Sequence, residues 1–220
     1  MKLIAKASDG ADRPLPEAGM QHGILYSVIV LGTQEVEYMK TKKKQFKFNV
    51  GWELPHLPKL EYEDNGEKIF RPQCIFKSYT RSLYEKANLA QDLAGWRGQG
   101  FSKDEQNGFD VFKMLVPGVN ALLNIVHYEN NNGTTKAKYV SISKLMAGMV
   151  EVLPENAIVE YEPSMLDNFP ESMPDWAKEA VVKSPEYQGI KHGQEAFSDE
   201  GPPPSDDDYD PNAQVDDIPF

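Results

Sequence analysis

Five lysines fall within residues 40–47, at Lys40, Lys42, Lys43, Lys44 and Lys47. Ammonium groups at that density suit a polyanion, because each phosphate they neutralise releases a condensed counterion. The same cluster also suits the solvated tip of a hairpin, and sequence alone leaves both readings open. Further along, Lys77, Tyr79 and Arg81 alternate at two-residue spacing, so an extended strand places all three on one face. A basic–aromatic–basic row combines phosphate contact with base stacking, worth about 1–3 kcal/mol per base. It fits poorly in a core. Trp52, near a strand end, serves either stacking or packing. Trp96 and Arg97, between Gly95 and Gly98, read as a strand-embracing loop or as the packing of a helix onto the body. Lys138 and Tyr139 are weaker candidates.

Other chemistry is poorly represented. The single cysteine, Cys74, allows neither an internal disulfide nor a cysteine-based zinc site, and fits a reducing cytoplasm. His22, His56, His127 and His192 are scattered without metal-ligand spacing, and His127 sits in an apolar strand where a core histidine is expected. The glycines at 95, 98 and 100 lack the Lys-Ser/Thr of a phosphate loop, and no Gly-x-Ser-x-Gly element occurs. The acidic pairs Asp64/Glu67 and Asp104/Glu105 read as solvated or capping groups. The expectation is a protein that is not an enzyme and that uses no metal and no cofactor. No apolar run reaches the length of a membrane span, and Met1–Lys6 has no long apolar region behind it, so neither membrane nor leader is expected.

Charge is unevenly distributed. The formal net charge is −11, yet residues 1–150 carry 20 basic and 16 acidic side chains. Residues 151–194 carry 3 basic and 9 acidic, and residues 195–220 carry nine acidic and no basic ones. A mildly basic body, an acidic connector and a strongly acidic tail follow. Polyanion binding responds to the local potential of a groove, so the acidic average does not exclude it.

At 220 residues the chain suits one domain with additional polar segments. Residues 1–21 read as an irregular lead-in. Gly23 to Tyr38 is apolar on both faces, the pattern of a strand in a closed or doubly covered sheet. In a second strand, Lys42 to Leu54, Phe46, Phe48, Val50 and Trp52 share one face, with Phe46 and Phe48 expected in the core. A polar excursion at 61–68 precedes a third strand at 72–81. A helix is expected over 83–96, with a capping box at Ser82 and Glu85, and a second after Ser102 towards Leu115. Strands four and five are expected at 120–128 and 136–146. Five strands with a helix between the third and fourth is the element order of an OB-fold, a partly open barrel that binds oligonucleotides, although other small barrels and sandwiches share it. The expected architecture is thus mainly β with a helical insertion. It comprises an OB-like domain at 22–150, an acidic connector at 151–194 and a disordered acidic tail from 195. A short helix at 175–183, anchored by Trp176, is expected within the connector.

The tail closes on Asp216-Asp217-Ile218-Pro219-Phe220. An acidic segment kept in water gains nothing from a terminal Ile and Phe unless a partner pocket receives them. Burial of one such ring is worth about 1.5–3 kcal/mol. This ending resembles the C-terminal tip of bacterial single-stranded DNA-binding proteins. The resemblance implies an OB-fold core and a flexible linker, with a tip that recruits replication and repair enzymes through these five residues. The body departs from that family, being longer, and its tail is shorter and not Gly/Gln-rich. The block Tyr79-Thr80-Arg81-Ser82-Leu83-Tyr84-Glu85-Lys86-Ala87-Asn88-Leu89, with Gly95-Trp96-Arg97-Gly98 and Gly108-Phe109-Asp110, is similar instead to a bacteriophage family of single-stranded DNA-binding or replication-associated proteins, across about residues 20–147.

The resulting expectation is a sequence-independent single-stranded DNA-binding protein of phage replication or recombination, working in the cytoplasm of a bacterial host. Its contacts would come from Lys40, Lys42, Lys43, Lys44, Lys47, Trp52, Lys77, Tyr79, Arg81, Trp96 and Arg97. Oligomeric state is open, including a homo-oligomer. The alternative is an adaptor that captures host enzymes through the tip without binding DNA. A recombination nuclease is supported only by scattered acids.

Overall fold

A computed structural model describes residues 14–38, 41–64 and 67–193. Lys40, most of the expected lead-in, and the expected disordered tail with its tip lie outside the described residues. The described chain is mainly β and antiparallel, built on β1 (Gly19–Tyr38), β2 (Thr41–Leu54), β3 (Leu60–Asp64), β4 (Glu67–Arg71), β5 (Gln73–Thr80), β6 (Asn120–Glu129), β7 (Thr135–Ser143) and β8 (Val159–Tyr161). Helices α1 (Asn88–Arg97) and α2 (Lys103–Gly108) lie between β5 and β6, and α3 (Asp175–Val182) and α4 (Pro185–Lys191) follow β8. The main sheet runs β5-β2-β1-β6-β7, with β8 added in parallel to β1. The two ends of that order meet: Tyr79 on β5 and Tyr139 on β7 share a hydroxyl–hydroxyl hydrogen bond of 2.9 Å. β3 and β4 pair only with each other, so the polar excursion expected at 61–68 is a hairpin.

Alternation in β2 is realised as expected. Phe48, Val50, Trp52 and Leu54 enter one core with Val28 and Val30 of β1, Ile75 of β5, Leu123 and Ile125 of β6, and Ile142 of β7. Helix α1 covers that core through Leu89, Ala90, Leu93 and Trp96. It starts five residues later than expected. Ser82 does not cap it; its hydroxyl accepts from the Tyr84 backbone N–H in a preceding turn. The capping box lies instead on α2, where Ser102 and Glu105 each accept from the other's backbone N–H.

The apolar residues on the other face of β1 define a second core. Ile29 and Leu31 pack with Val159 and Tyr161 of β8, with Met173 just before α3, with Ala177 and Val181 of α3, and with Tyr187 of α4. The segment expected as an acidic connector is therefore a packed layer over β1. Trp176 on α3 joins it, as expected. Prolines in this segment start a turn and a helix: Pro163 and Pro185 occupy first-turn positions, where the missing N–H costs nothing.

Gly32 fixes how this layer seats. It sits at a register shift in β1 with φ +74°, and an added Cβ would lie 2.6 Å from Glu186 Oε2 and 2.7 Å from Ser184 Cβ. Glu186 in turn accepts from the Thr33 backbone N–H at 2.8 Å and from its hydroxyl at 2.6 Å. Gly32→Ala combines backbone strain with displacement of the α4 start. It is expected to cost about 2–3 kcal/mol, read as a lower denaturant midpoint at unchanged slope.

Candidate nucleic-acid interface

The structure divides the sequence-derived candidates into two groups. Trp52 is fully buried and lies edge-on to Trp96, with ring centroids 5.5 Å apart, so the two indoles lock α1 onto the sheet. Neither presents a face for a base. Arg97 stacks on Phe101 and Phe109, at 4.6 and 5.4 Å from their centroids. Its Nη2 donates to Glu105 Oε1 at 2.7 Å. It ties the 101–109 loop to α1 instead of reaching a ligand. Contacts to the Ser102 backbone and to Arg97 hold the Glu105 carboxyl below its ordinary range, so the clasp stays charged at neutral pH.

Lys77 and Tyr79 also lie inside. The parity that put Lys77, Tyr79 and Arg81 on one face holds, but for the first two that face is the core side of β5. Lys77 Nζ is 2.6 Å from Asp92 Oδ2 on α1, and Tyr79 Oη donates to the same oxygen at 2.7 Å. The ammonium also lies over the Tyr79 and Tyr139 rings, 5.3 and 4.8 Å from their centroids. A buried lysine is tolerable because Asp92, on the next helix, supplies the countercharge. Burial pushes the Asp92 carboxyl above its ordinary range, against the pull of Lys77 and Tyr79, and also raises both phenols. This cluster joins β5, β7 and α1.

Lys42, Lys44 and Arg81 remain exposed, and Lys43 and Lys47 are half-buried. The β1–β2 register puts Glu35 opposite Lys44 and Glu37 opposite Lys42, and Glu35 lies 3.8 Å from Lys42. The lysine track thus carries acidic neighbours, although an exposed pair this loose contributes little. Arg81 lies over the Phe46 ring at 4.2 Å, and its backbone N–H donates to the Phe46 carbonyl at 3.0 Å. Phe46 is half-buried against the first core, not enclosed in it.

On the opposite face of β2 and β5, Gly51 pairs with Phe76, Asn49 with Ser78, and Lys47 with Thr80. A Cβ on Gly51 would lie 2.5 Å from Phe76 Cε1, so the missing side chain lets the ring lie down on the strand. Tyr26 stands edge-on beside Phe76, with centroids 6.0 Å apart. Asn49 is fully buried and donates to Ser78 Oγ at 3.1 Å, while its own carbonyl oxygen has no partner among the described residues. One end of this face is closed by the 155–156 turn, whose Glu155 and Asn156 backbone N–H groups donate to the buried Glu53 carboxylate at 2.9 and 2.8 Å. Asn156 also donates to Cys74 Sγ. Burial pushes the Cys74 thiol up to about 11, so it stays protonated. Sequence reading missed Phe76 by one position of strand parity. Gly51, a glycine in the middle of a strong strand, was the available signal, since such glycines mark close approach.

Two further contacts, one aromatic–basic and one aromatic–aromatic, went unread. Lys138 lies 4.8 Å from the Tyr128 ring centroid on the β6–β7 hairpin. Phe112, 39% exposed, stands edge-on to Phe48. Among the described residues, no group of three or more His, Cys, Asp or Glu could hold a metal ion, and no helix is long and apolar enough to cross a membrane. No family model and no curated protein matches the chain.

Proposed function

We propose that this protein binds single-stranded DNA without sequence preference, on an OB-type barrel, during phage replication or recombination in the host cytoplasm. The sheet order is the observation that carries this reading. Numbering the five long strands in chain order, they run third-second-first-fourth-fifth, with a helix between the third and fourth and the third and fifth brought together at Tyr79 and Tyr139. Such an order supports reading the sheet as a partly open, five-stranded barrel of the oligonucleotide-binding kind. The outer face of β2 and β5, with Phe76 laid over Gly51 and Tyr26 beside it, would supply a stacking platform, and Lys47 and the β1–β2 ribbon would supply phosphate contacts. The Asp216-Asp217-Ile218-Pro219-Phe220 ending would present replication and repair enzymes with their docking peptide, on the strength of its resemblance.

Titration of a labelled oligo-dT by anisotropy tests the reading. Trp52 and Trp96 are buried, so intrinsic fluorescence is a poor reporter. With about four cations on phosphates, the slope of log K against log salt is expected near −3. An absence of binding even in dilute buffer would overturn the proposal.

The adaptor alternative is favoured by one observation: Met146, Val150, Leu153 and Ile158 are 63, 77, 84 and 52% exposed along the segment after β7. Apolar side chains this open suit a protein partner. A body that ignores oligonucleotides yet captures a replication enzyme would establish that reading.

A further inference from the structure

On one face of β2, Phe46 is followed by Phe48. The β2–β5 register places Phe48 opposite Tyr79, and the Arg81 backbone bonds to Phe46 in the next row. Arg81 covers the Phe46 ring, and Phe112, from the short turn at Val111–Lys113, stands against Phe48 with centroids 5.9 Å apart. Arg81 and Phe112 therefore occupy adjacent rows at one end of the sheet, and Lys44 precedes Phe46 on the same strand face. Arg81, Lys44 and Lys113 are exposed and make no ion pair with a carboxylate of the described residues. The one acidic group in the turn, Asp110, is occupied as its N-cap, accepting from the Phe112 backbone N–H at 3.1 Å.

Resting on the function proposed above, we infer that this end of the sheet is a second nucleotide subsite, separate from the Phe76 platform. A nucleobase stacks on Phe112, and the adjoining phosphate is held by Arg81 and Lys44. The chemistry selects a nucleotide. An apolar peptide would not use two unpaired cations, and a bare anion would not use an exposed ring. Arg81 is pre-ordered on Phe46, so its guanidinium reaches a phosphate with less rotamer freedom to lose than a free side chain. Phe112 stays partly exposed although the core lies directly beneath it, which leaves its outer face for stacking. The Phe76 platform lies on the opposite face of the same strands, so a strand engaging both sites must pass around the sheet end.

The test uses the full chain. Phe112→Leu keeps an apolar contact with Phe48 but removes the π face. It is expected to weaken oligo-dT binding at least about fivefold, with the salt slope unchanged. Arg81→Gln is expected to lower the salt slope by about one. A 5-iodouracil oligonucleotide irradiated in the complex is expected to crosslink at Phe112, and equal melting midpoints certify that the variants fold. Wild-type affinity in Phe112→Leu, or crosslinks confined to Phe76, would overturn this subsite and leave the wider proposal standing. A wild-type chain that binds no oligonucleotide would overturn the wider proposal, and this one with it.

Discussion

Lys77→Ala is expected to lower stability by about 3–5 kcal/mol, because it leaves the Asp92 carboxylate buried without its cation. The side chains of Lys77 and Asp92 are 13% and 4% exposed, so water cannot replace the lost partner. A loss of that size is a large share of the 5–15 kcal/mol that holds a typical domain together. A surface lysine contacting phosphate would behave differently, weakening DNA binding while the melting curve stayed put. The pH dependence sharpens the distinction. Burial already raises the Asp92 carboxyl, and Lys77 opposes that rise. Without Lys77 the carboxyl rises further. A raised carboxyl favours the protonated, folded form, so its contribution is complete below the ordinary carboxylate range and lost as pH climbs through the folded value. The variant should therefore lose more stability at neutral than at mildly acidic pH. Lys77→Met with Asp92→Leu removes both charges and should recover much of the loss. Urea melts of the three proteins at two pH values decide the matter. Single-variant melts that match wild type would return Lys77 to the list of DNA contacts.

That pair also marks where sequence reading stopped. Alternation gave β2 its core face, Phe48 through Trp52, because a half-buried strand repeats every two residues. For β5 the same rule gave the parity but not the side, and a shift of side reassigns every residue at once. Lys77 and Tyr79 read as surface because an unpaired lysine belongs there. Their partner, Asp92, lies fifteen residues beyond Lys77 and thirteen beyond Tyr79, in a helix whose packing no local pattern specifies. Phe112 was missed for the complementary reason: its exposure depends on what the fold leaves uncovered. The tyrosine, lysine and carboxylate that join β5, β7 and α1 were all visible as residues, and only their convergence was hidden.

A chain ending at residue 150, where net charge turns acidic, is expected not to fold, whereas one ending at residue 193 should melt like the full chain. The doubly apolar pattern of β1 already required a cover on both faces, and the segment after residue 150 provides the second. Removing it exposes Ile29 and Leu31, now 1% and 5% exposed, each worth about 1.5–3 kcal/mol when buried. It also strips Glu53, 1% exposed, of the backbone donors at Glu155 and Asn156. Asn120 loses its contacts with Val152, whose N–H it accepts at 3.1 Å and whose carbonyl it donates to at 3.0 Å. A buried carboxylate without donors and an uncovered apolar face together approach the whole stability of a small domain. Near-UV circular dichroism and urea titration distinguish the outcomes. If residues 1–150 unfold cooperatively at the full-length midpoint, β8, α3 and α4 are an appendage and the second core contributes nothing to the first. If instead Ile29→Thr and Leu31→Thr restore solubility to the shortened chain, the exposed face of β1 is the cause. The acidic stretch then counts as part of the folding unit: apart from Glu186, its carboxylates lie on the solvent side of a layer whose apolar side completes β1, and charge alone misplaces the boundary.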